Sequence, residues 1–328
     1  MFSRHDPPAV AIILTMIVFA FAGYERLLEQ LDPVLQRGSF ELGRFENGEL
    51  FVSILTPVRT AHCVVLGSIA PPDERMLSLA LLAHTLKKEG SPKVTAFLPY
   101  LAYSRQDKDK PGQSLAAAWV GSLLQASGVD RVFTIDLHSE RDKQLFPIPL
   151  ISTFPAEMFA HAIKKHHLAA ATLVAPDNGA IPRCQAVNNA LGRPAADIPY
   201  FEKQRDEKGI KHTGLFGKVG PRTLIIDDMI DTGGTLISAC DKLVQSGTRE
   251  IYIMVTHGLF TGKGWKKLWS LRVRRIFCTG TVPPTPNILD EPRITTLPIV
   301  QLLGEQLALS ALAFPAPATM LREEGAGC

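Results

Sequence analysis

The sequence predicts an α/β protein built from two doubly wound, mainly parallel sheets. Three observations carry that reading. Short apolar runs alternate with stretches of helical periodicity, the pattern of strands joined by helical crossovers. The alternation comes in two series, parted by a proline cluster around residues 147–154. The 328 residues are too many for one small core and suit two domains of ordinary size. The expected boundaries are residues 1–150 for an N-terminal domain, rejoined by residues 294–312, residues 151–293 for a C-terminal domain, and a frayed polar tail over residues 313–328.

Taken in order, residues 9–22 are almost wholly apolar. They are too few for a comfortable membrane span, which needs about twenty. Their flank carries little charge, so a buried first strand running into a helix near residues 24–35 is favoured over a targeting segment. Residues 63–69 (C-V-V-L-G-S-I) read as a buried strand, residues 76–88 as a helix stopped at Gly90, and residues 94–99 as a strand. A helix over 115–126, closed by Gly128, and a strand over 131–137 complete the first series. The second runs helix 155–166, strand 172–175, helix 185–191, strand 222–226, helix 235–246 and strand 250–256. In open sheets of this kind ligands sit beyond the carboxyl ends of the strands, so the residues that follow each strand are the ones to inspect.

Composition narrows the function classes. Hydrophobic residues make up 46% and charged residues 20%, a globular balance. The net charge is only +3, from 35 lysines and arginines against 32 acids, with no basic face to mark a nucleic-acid binder. The five cysteines are odd in number and widely spaced, which argues against a disulfide framework or a zinc site and fits a reducing, cytoplasmic setting.

The most informative string is residues 223–235, T-L-I-I-D-D-M-I-D-T-G-G-T. An apolar strand runs into two aspartates, then a third, then a Thr-Gly-Gly-Thr turn and a helix. Gly233 and Gly234 let successive N–H groups curl inward, Thr232 and Thr235 add hydroxyl donors, and the helix offers its positive end; together these describe a phosphate nest. Asp227 and Asp228 repel phosphate but accept hydrogen bonds from vicinal hydroxyls. A nest beside a carboxylate pair describes a sugar phosphate. The plainer reading, an acidic loop with Asp231 or Thr232 as a helix cap, accounts for each residue alone but not for the ordered set.

That string resembles the phosphoribosyl pyrophosphate-binding loop shared by type I phosphoribosyltransferases and ribose-phosphate pyrophosphokinases. The resemblance implies that Asp227 and Asp228 hold ribose hydroxyls and that Asp231, Thr232, Gly233, Gly234 and Thr235 hold the 5-phosphate. Three N-terminal strings favour the pyrophosphokinases: G-R-F-E-N-G-E at 43–49, P-Y-L-A-Y-S-R-Q-D at 99–107 and V-D-R-V-F-T-I-D-L-H at 129–138. The likeness implies an ATP site of Phe45, Asn47, Glu49, Arg105, Gln106, Asp107 and His138, with Phe45 reaching in from a neighbouring subunit of a homo-oligomer. It implies Mg2+ held at His138 and Asp177, the latter in A-P-D-N-G-A-I-P-R, and a flexible catalytic loop carrying Lys203 and Arg205 in F-E-K-Q-R. The expected partners are therefore ATP and ribose 5-phosphate, with no nucleic acid and no membrane. The expected reaction transfers a pyrophosphoryl group to the anomeric hydroxyl, giving phosphoribosyl pyrophosphate and AMP for nucleotide biosynthesis. A phosphoribosyltransferase and a catalytically silent regulatory paralogue are the alternatives.

Four features depart from the resemblance. Asn47 stands where the family usually has aspartate, and Ala180 where a second glycine is usual, so that its methyl is expected to narrow the approach to phosphate. Residues 108–115 (K-D-K-P-G-Q-S-L) are short and poor in arginine, and residues 295–300 lack serine, which together predict activity without added phosphate. Residues 258–264, G-L-F-T-G-K-G, are one residue short of a P-loop and lack the hydroxyl after lysine; they read as a connecting loop.

Overall fold

Burial on both faces, more than alternation, marks the strands of this chain, as befits parallel sheets covered by helices. A computed structural model describes residues 15–31, 35–206, 209–286 and 288–312, with the side chains of 203–213 and 309–312 outside the description. The first part of the chain runs β1 (Met16–Ala20), α1 (Glu25–Glu29), β2 (Gln36–Arg37), β3 (Phe40–Arg44), β4 (Leu50–Ile54), β5 (His62–Leu66), α2 (Glu74–Lys88), β6 (Lys93–Leu98), α3 (Ala116–Ala126), β7 (Arg131–Ile135), α4 (Asp142–Leu145) and β8 (Leu150–Thr153). Six of these strands form a parallel sheet in the order β2-β1-β5-β6-β7-β8. Strands β3 and β4 stand apart as an antiparallel hairpin.

The apolar run near the N-terminus supplies β1, an interior strand paired with both β2 and β5. Ile17, Val18 and Phe19 are fully buried there, as a β-branched and aromatic run in an interior strand should be. Residues 1–14 of that run and its flank lie outside the described residues. The helix expected after it is shorter than anticipated, Glu25–Glu29.

The second part runs α5 (Ala156–Lys165), β9 (Thr172–Val174), α6 (Ile181–Ala190), β10 (Tyr200–Asp206), β11 (Gly209–Phe216), β12 (Arg222–Ile230), α7 (Gly234–Gln245), β13 (Glu250–Gly258), β14 (Val273–Thr279), β15 (Ile294–Leu297) and α8 (Val300–Leu312), with short 3-10 helices at Asn178–Ala180 and Gly264–Ser270. Its parallel sheet is ordered β15-β14-β13-β12-β9. One face buries Leu236, Cys240 and Leu243 of α7 with Phe260 and Trp265; the other buries Phe159 and Ile163 of α5 with Cys184 and Val187 of α6. Helices on both faces of each parallel sheet make the predicted fold class the observed one.

Helix α8 returns to the first sheet. Leu302, Leu303 and Leu307 are buried with Val18, Phe97 and Phe133, and Gln306 donates to the Thr153 hydroxyl at 2.5 Å. The tail beyond residue 312 lies outside the described residues. The stretch around Lys203 and Arg205, read as a loop, is instead an antiparallel hairpin of β10 and β11, in which Lys203 pairs with His212 and Arg205 with Ile210. Tyr200 and Phe201 are adjacent and residues 202–206 are all polar, so no alternation marks this strand in the sequence.

Candidate functional site

The carboxyl ends of β6, β7, β9 and β12 converge on one cavity of about 610 Å3. Its floor is the string read as a phosphate nest. Strand β12 runs further than expected, through both aspartates to Ile230, because Met229 and Ile230 are buried and pair with His257 and Gly258 of β13. The turn follows. Gly233 adopts φ +88° and caps α7, so neither Asp231 nor Thr232 is the cap. A side chain at Gly233 is doubly excluded, since a Cβ there would lie 2.8 Å from the Trp265 Cα and left-handed backbone disfavours any L residue. Gly234 begins α7, whose N-terminal N–H groups face the cavity lined by Thr232 to Leu236.

The two aspartates differ in environment. Asp227 sits deep among protein atoms yet opens onto the cavity, and burial pushes its carboxyl up, helped by the charges of Asp228 and Asp177. For Asp228 burial acts in the same direction, but the hydrogen bond from His138 and the charge of Arg183 outweigh it and hold the carboxyl well below its usual range. The His138 Nδ1–H donates to Asp228 Oδ2 at 2.6 Å, and that bond raises the imidazole above its ordinary value despite partial burial. One carboxylate is thus anchored and ionised, while its neighbour accepts the Asp228 N–H at 2.9 Å and faces the cavity.

His138 and Arg105 reach this floor from the first sheet. Arg105 Nη1 bonds Asp231 Oδ2 at 2.8 Å. The same two residues line a second cavity of about 440 Å3 with Gln106, Asp107, Lys108, Lys110, Gln113 and Ser114. The predicted R-Q-D residues and the predicted ribose loop therefore meet at a shared wall. Gln106 accepts the Ser114 hydroxyl at 2.6 Å, and Asp107 is buried. Asp177, Asn178 and Gly179 close the first cavity from the β9 side. Ala180 does not narrow it: its methyl is buried with Phe159 and Cys184 in the core, one residue past the cavity wall.

One predicted group is not brought to this site within the chain. Phe45, Asn47 and Glu49 occupy the exposed turn between β3 and β4, and line neither cavity. Asn47 Oδ1 accepts the Glu49 N–H at 3.1 Å, and the Phe45 ring packs 5.0 Å from Phe51. Lys203 and Arg205 lie on β10, their side chains outside the described residues; Phe201 of the same strand does line the cavity.

Sequence reading passed over a buried network beneath the site. Arg183 Nε bonds Asp136 Oδ1 at 2.8 Å, and its Nη2 donates to the Leu137 carbonyl at 2.6 Å. The Thr256 hydroxyl donates to the other Asp136 oxygen at 2.5 Å, and His257 Nε2–H donates to the Asp136 carbonyl at 3.0 Å. A carbonyl only accepts, so His257 carries its proton on Nε2 and turns Nδ1 toward the Thr281 hydroxyl at 2.9 Å. Burial raises the Asp136 carboxyl and lowers the His257 imidazole, and Arg183 partly offsets the first. Arg183 was visible as the last residue of A-P-D-N-G-A-I-P-R and Asp136 within V-D-R-V-F-T-I-D-L-H; their pairing, between α6 and the residue after β7, was not.

Comparison with known proteins agrees with this geometry. A family model for the N-terminal domain of ribose phosphate pyrophosphokinase matches residues 16–128, and one for the phosphoribosyl synthetase-associated domain matches residues 185–309. A ribose-phosphate pyrophosphokinase of Maricaulis maris is 32% identical over 286 residues, covering 86% of this chain and 91% of the relative. The chain belongs to the ribose-phosphate pyrophosphokinase family. Ribose-phosphate pyrophosphokinase A of Dictyostelium discoideum is 30% identical over 282 residues, 84% of this chain and 88% of the relative. The crystal structure of phosphoribosylpyrophosphate synthetase from Mycobacterium smegmatis superposes with a TM-score of 0.80 at 26% identity, over 90% of this chain and 98% of that one. Of the departures read from the sequence, Asn47 lies in the exposed β3–β4 turn, Ala180 in the core, and segment 108–115 at the second cavity, through Lys108, Lys110, Gln113 and Ser114.

Proposed function

We propose that this member of the ribose-phosphate pyrophosphokinase family makes phosphoribosyl pyrophosphate from ribose 5-phosphate and ATP, releasing AMP. The observation that carries the reading is the shared wall. A sugar-phosphate cavity, floored by Asp227 to Thr235, adjoins a second polar cavity through Arg105 and His138. A transfer between two substrates needs them side by side in line, and that requires adjoining sites with a common border.

In this reading the Thr232–Thr235 turn and the start of α7 receive the 5-phosphate, and Asp227 and Asp228 accept the ribose hydroxyls. The anomeric oxygen attacks the β-phosphorus of ATP, the bond from that phosphorus to the bridging oxygen of AMP breaks, and the hydroxyl proton is released. Arg105 stands at the border, where charge moves between the two substrates. Lys203 and Arg205 on β10 add positive charge to the transferring group. The adenine is taken by the Arg105–Asp107 segment together with Phe45, Asn47 and Glu49 of a neighbouring chain.

The donor set fits magnesium. Among the described residues no three His, Cys, Asp or Glu side chains form a metal site by themselves. Magnesium does not need one, because it keeps water and binds substrate phosphates alongside one or two carboxylates. Asp177 and the crowded Asp227 offer hard oxygen at the cavity wall, and His138, its Nδ1–H engaged by Asp228, presents Nε2. When bound, the ion neutralises phosphate charge. No helix among the described residues is long and apolar enough to cross a membrane, and we place the enzyme in the cytoplasm on its reduced, widely spaced cysteines.

The test is chromatography of nucleotides after incubation with ATP, Mg2+ and ribose 5-phosphate, with and without inorganic phosphate. AMP and phosphoribosyl pyrophosphate should accumulate together in both cases. AMP that appears only when phosphate is added would refute phosphate-independent activity. No AMP in either case, with a purine base instead consuming supplied phosphoribosyl pyrophosphate, would select a phosphoribosyltransferase.

A further inference from the structure

The segment that resembled a truncated P-loop lies behind the phosphate turn. Strand β13 ends at Gly258, and the chain then wraps the back of the turn. The N–H groups of Leu259 and Phe260 both donate to the Ile230 carbonyl, at 2.9 and 3.2 Å. Phe260 holds a left-handed φ of +50°, an unusual conformation for an aromatic residue. Gly264 passes so close to Thr232 that a Cβ on it would stand 3.2 Å from that carbonyl. Trp265 then lies directly against Gly233, whose would-be Cβ meets the Trp265 Cα at 2.8 Å and its Cβ at 3.0 Å.

The Trp265 side chain anchors this contact. It is fully buried, with Phe260 edge-on at 4.9 Å and Trp269 at 6.1 Å. Arg293, at the entry to β15, stacks over Trp269 at 4.0 Å while its Nε bonds Glu291 at 2.8 Å. Neither indole N–H has an acceptor among the described residues, so the pair is held by shape and not by directed bonds. Trp265 does not line the cavity.

We propose that residues 258–265 form the seat of the phosphate turn and that Trp265 is its positioning residue. It fixes the left-handed Gly233, and with it the donor N–H groups, so that ribose 5-phosphate affinity depends on a side chain that never touches the substrate. A turn resting on backbone has no compliance of its own, and its position is that of the Trp265 Cα. This inference rests on the proposed sugar-phosphate site. Its failure is distinguishable, because wild-type AMP release tests that reading and the variants test the seat.

Trp265→Leu should raise the KM for ribose 5-phosphate by roughly tenfold or more, with the KM for ATP and kcat changed far less, and Trp265→Phe should restore most of the affinity. Should Trp265→Leu not fold, Arg293→Ala, which loosens Trp269 from outside the cavity, should raise the same KM by about threefold. The chain has three tryptophans, so Trp119→Phe leaves only the two indoles of the seat. In that background ribose 5-phosphate alone should change the emission saturably. A wild-type KM for ribose 5-phosphate in folded Trp265→Leu or Arg293→Ala would overturn the seat. So would parallel loss for both substrates, or emission that ignores the sugar phosphate.

Discussion

At the scale of single residues, the site depends on buried charges whose partners come from the other sheet. Arg183 is the test. Its guanidinium is largely buried and compensates Asp136, which is deeper still. Arg183→Met should therefore destabilise the protein by about 3–5 kcal/mol, read as a lower urea midpoint, because it strands an unpaired carboxylate. Adding Asp136→Asn should recover part of that loss, so the double variant is less unstable than the sum. Additive losses would show that the pair is not coupled. His62 makes a separate prediction about acid. It is buried in β5 against the Thr95 hydroxyl at 2.9 Å, and burial lowers its pKa to about 4, with Lys93, Arg131 and Lys87 adding to the effect and Asp130 opposing it. A depressed folded pKa means stability that is fully present above the unfolded value near 6.5 and is lost as pH falls toward 4. His62→Gln keeps a hydrogen bond to Thr95 without a titrating group. It should flatten the urea midpoint between pH 6.5 and about 4, by about 2–3 kcal/mol relative to wild type. Equal slopes for the two proteins would count against His62. Both arginine and histidine stood in plain view in the sequence. Neither was legible as important, since neither the Arg183–Asp136 ion pair nor the His62–Thr95 bond between neighbouring strands leaves a mark on the local pattern.

At the scale of elements, the sequence was most legible where burial was most complete. Strand β5 is buried at every position and β7 at all but its first residue, and both read as continuous apolar runs. The β3–β4 hairpin did not read as one, because every residue of it is partly or largely exposed and its hydrophobicity neither runs on nor alternates cleanly. The turn between β12 and α7 was legible for the opposite reason: glycines, hydroxyls and carboxylates in fixed order are a chemical pattern rather than a structural one. The β10–β11 hairpin fell between the two. The charges of Lys203 and Arg205 stood out in the sequence, while its strands did not, because residues 202–206 are an unbroken polar run and the register shifts between Glu202 and Lys203. If β10 supplies charge to the transition state, Lys203→Ala and Arg205→Ala should each lower kcat by about a hundredfold or more with KM for ATP little changed. A raised KM at unchanged kcat would make them ground-state ligands of the nucleotide.

At the scale of the whole molecule, the two sheets are fastened from both sides. The Asp136 network joins them beneath the cavity, and α8 carries the chain from the second sheet back onto the first through Leu302, Leu303 and Leu307. The turn bearing Phe45, Asn47 and Glu49 lines neither cavity of its own chain. Phe45 is 57% exposed at the tip of the hairpin, and Leu42 and Leu55 along it are 40% and 56% exposed. Large apolar side chains left in water are the kind of surface that a partner covers. If that partner is a second copy, each active site is assembled from two chains, and the consequence is genetic as much as structural. Phe45→Ala chains and Asp228→Ala chains should each be nearly inactive alone, the first for want of an adenine contact and the second for want of a ribose acceptor. Mixed under conditions that let subunits exchange, they should regain activity, because some interfaces join an intact Asp228 cavity to an intact Phe45 turn. For a dimer with independent sites, equal mixing should restore roughly a quarter of wild-type kcat, since half of the assemblies then carry one complete site. Light scattering of the wild type should show at least two chains. No recovery on mixing, with exchange confirmed by mass, would show that Phe45 serves its own chain or no site at all.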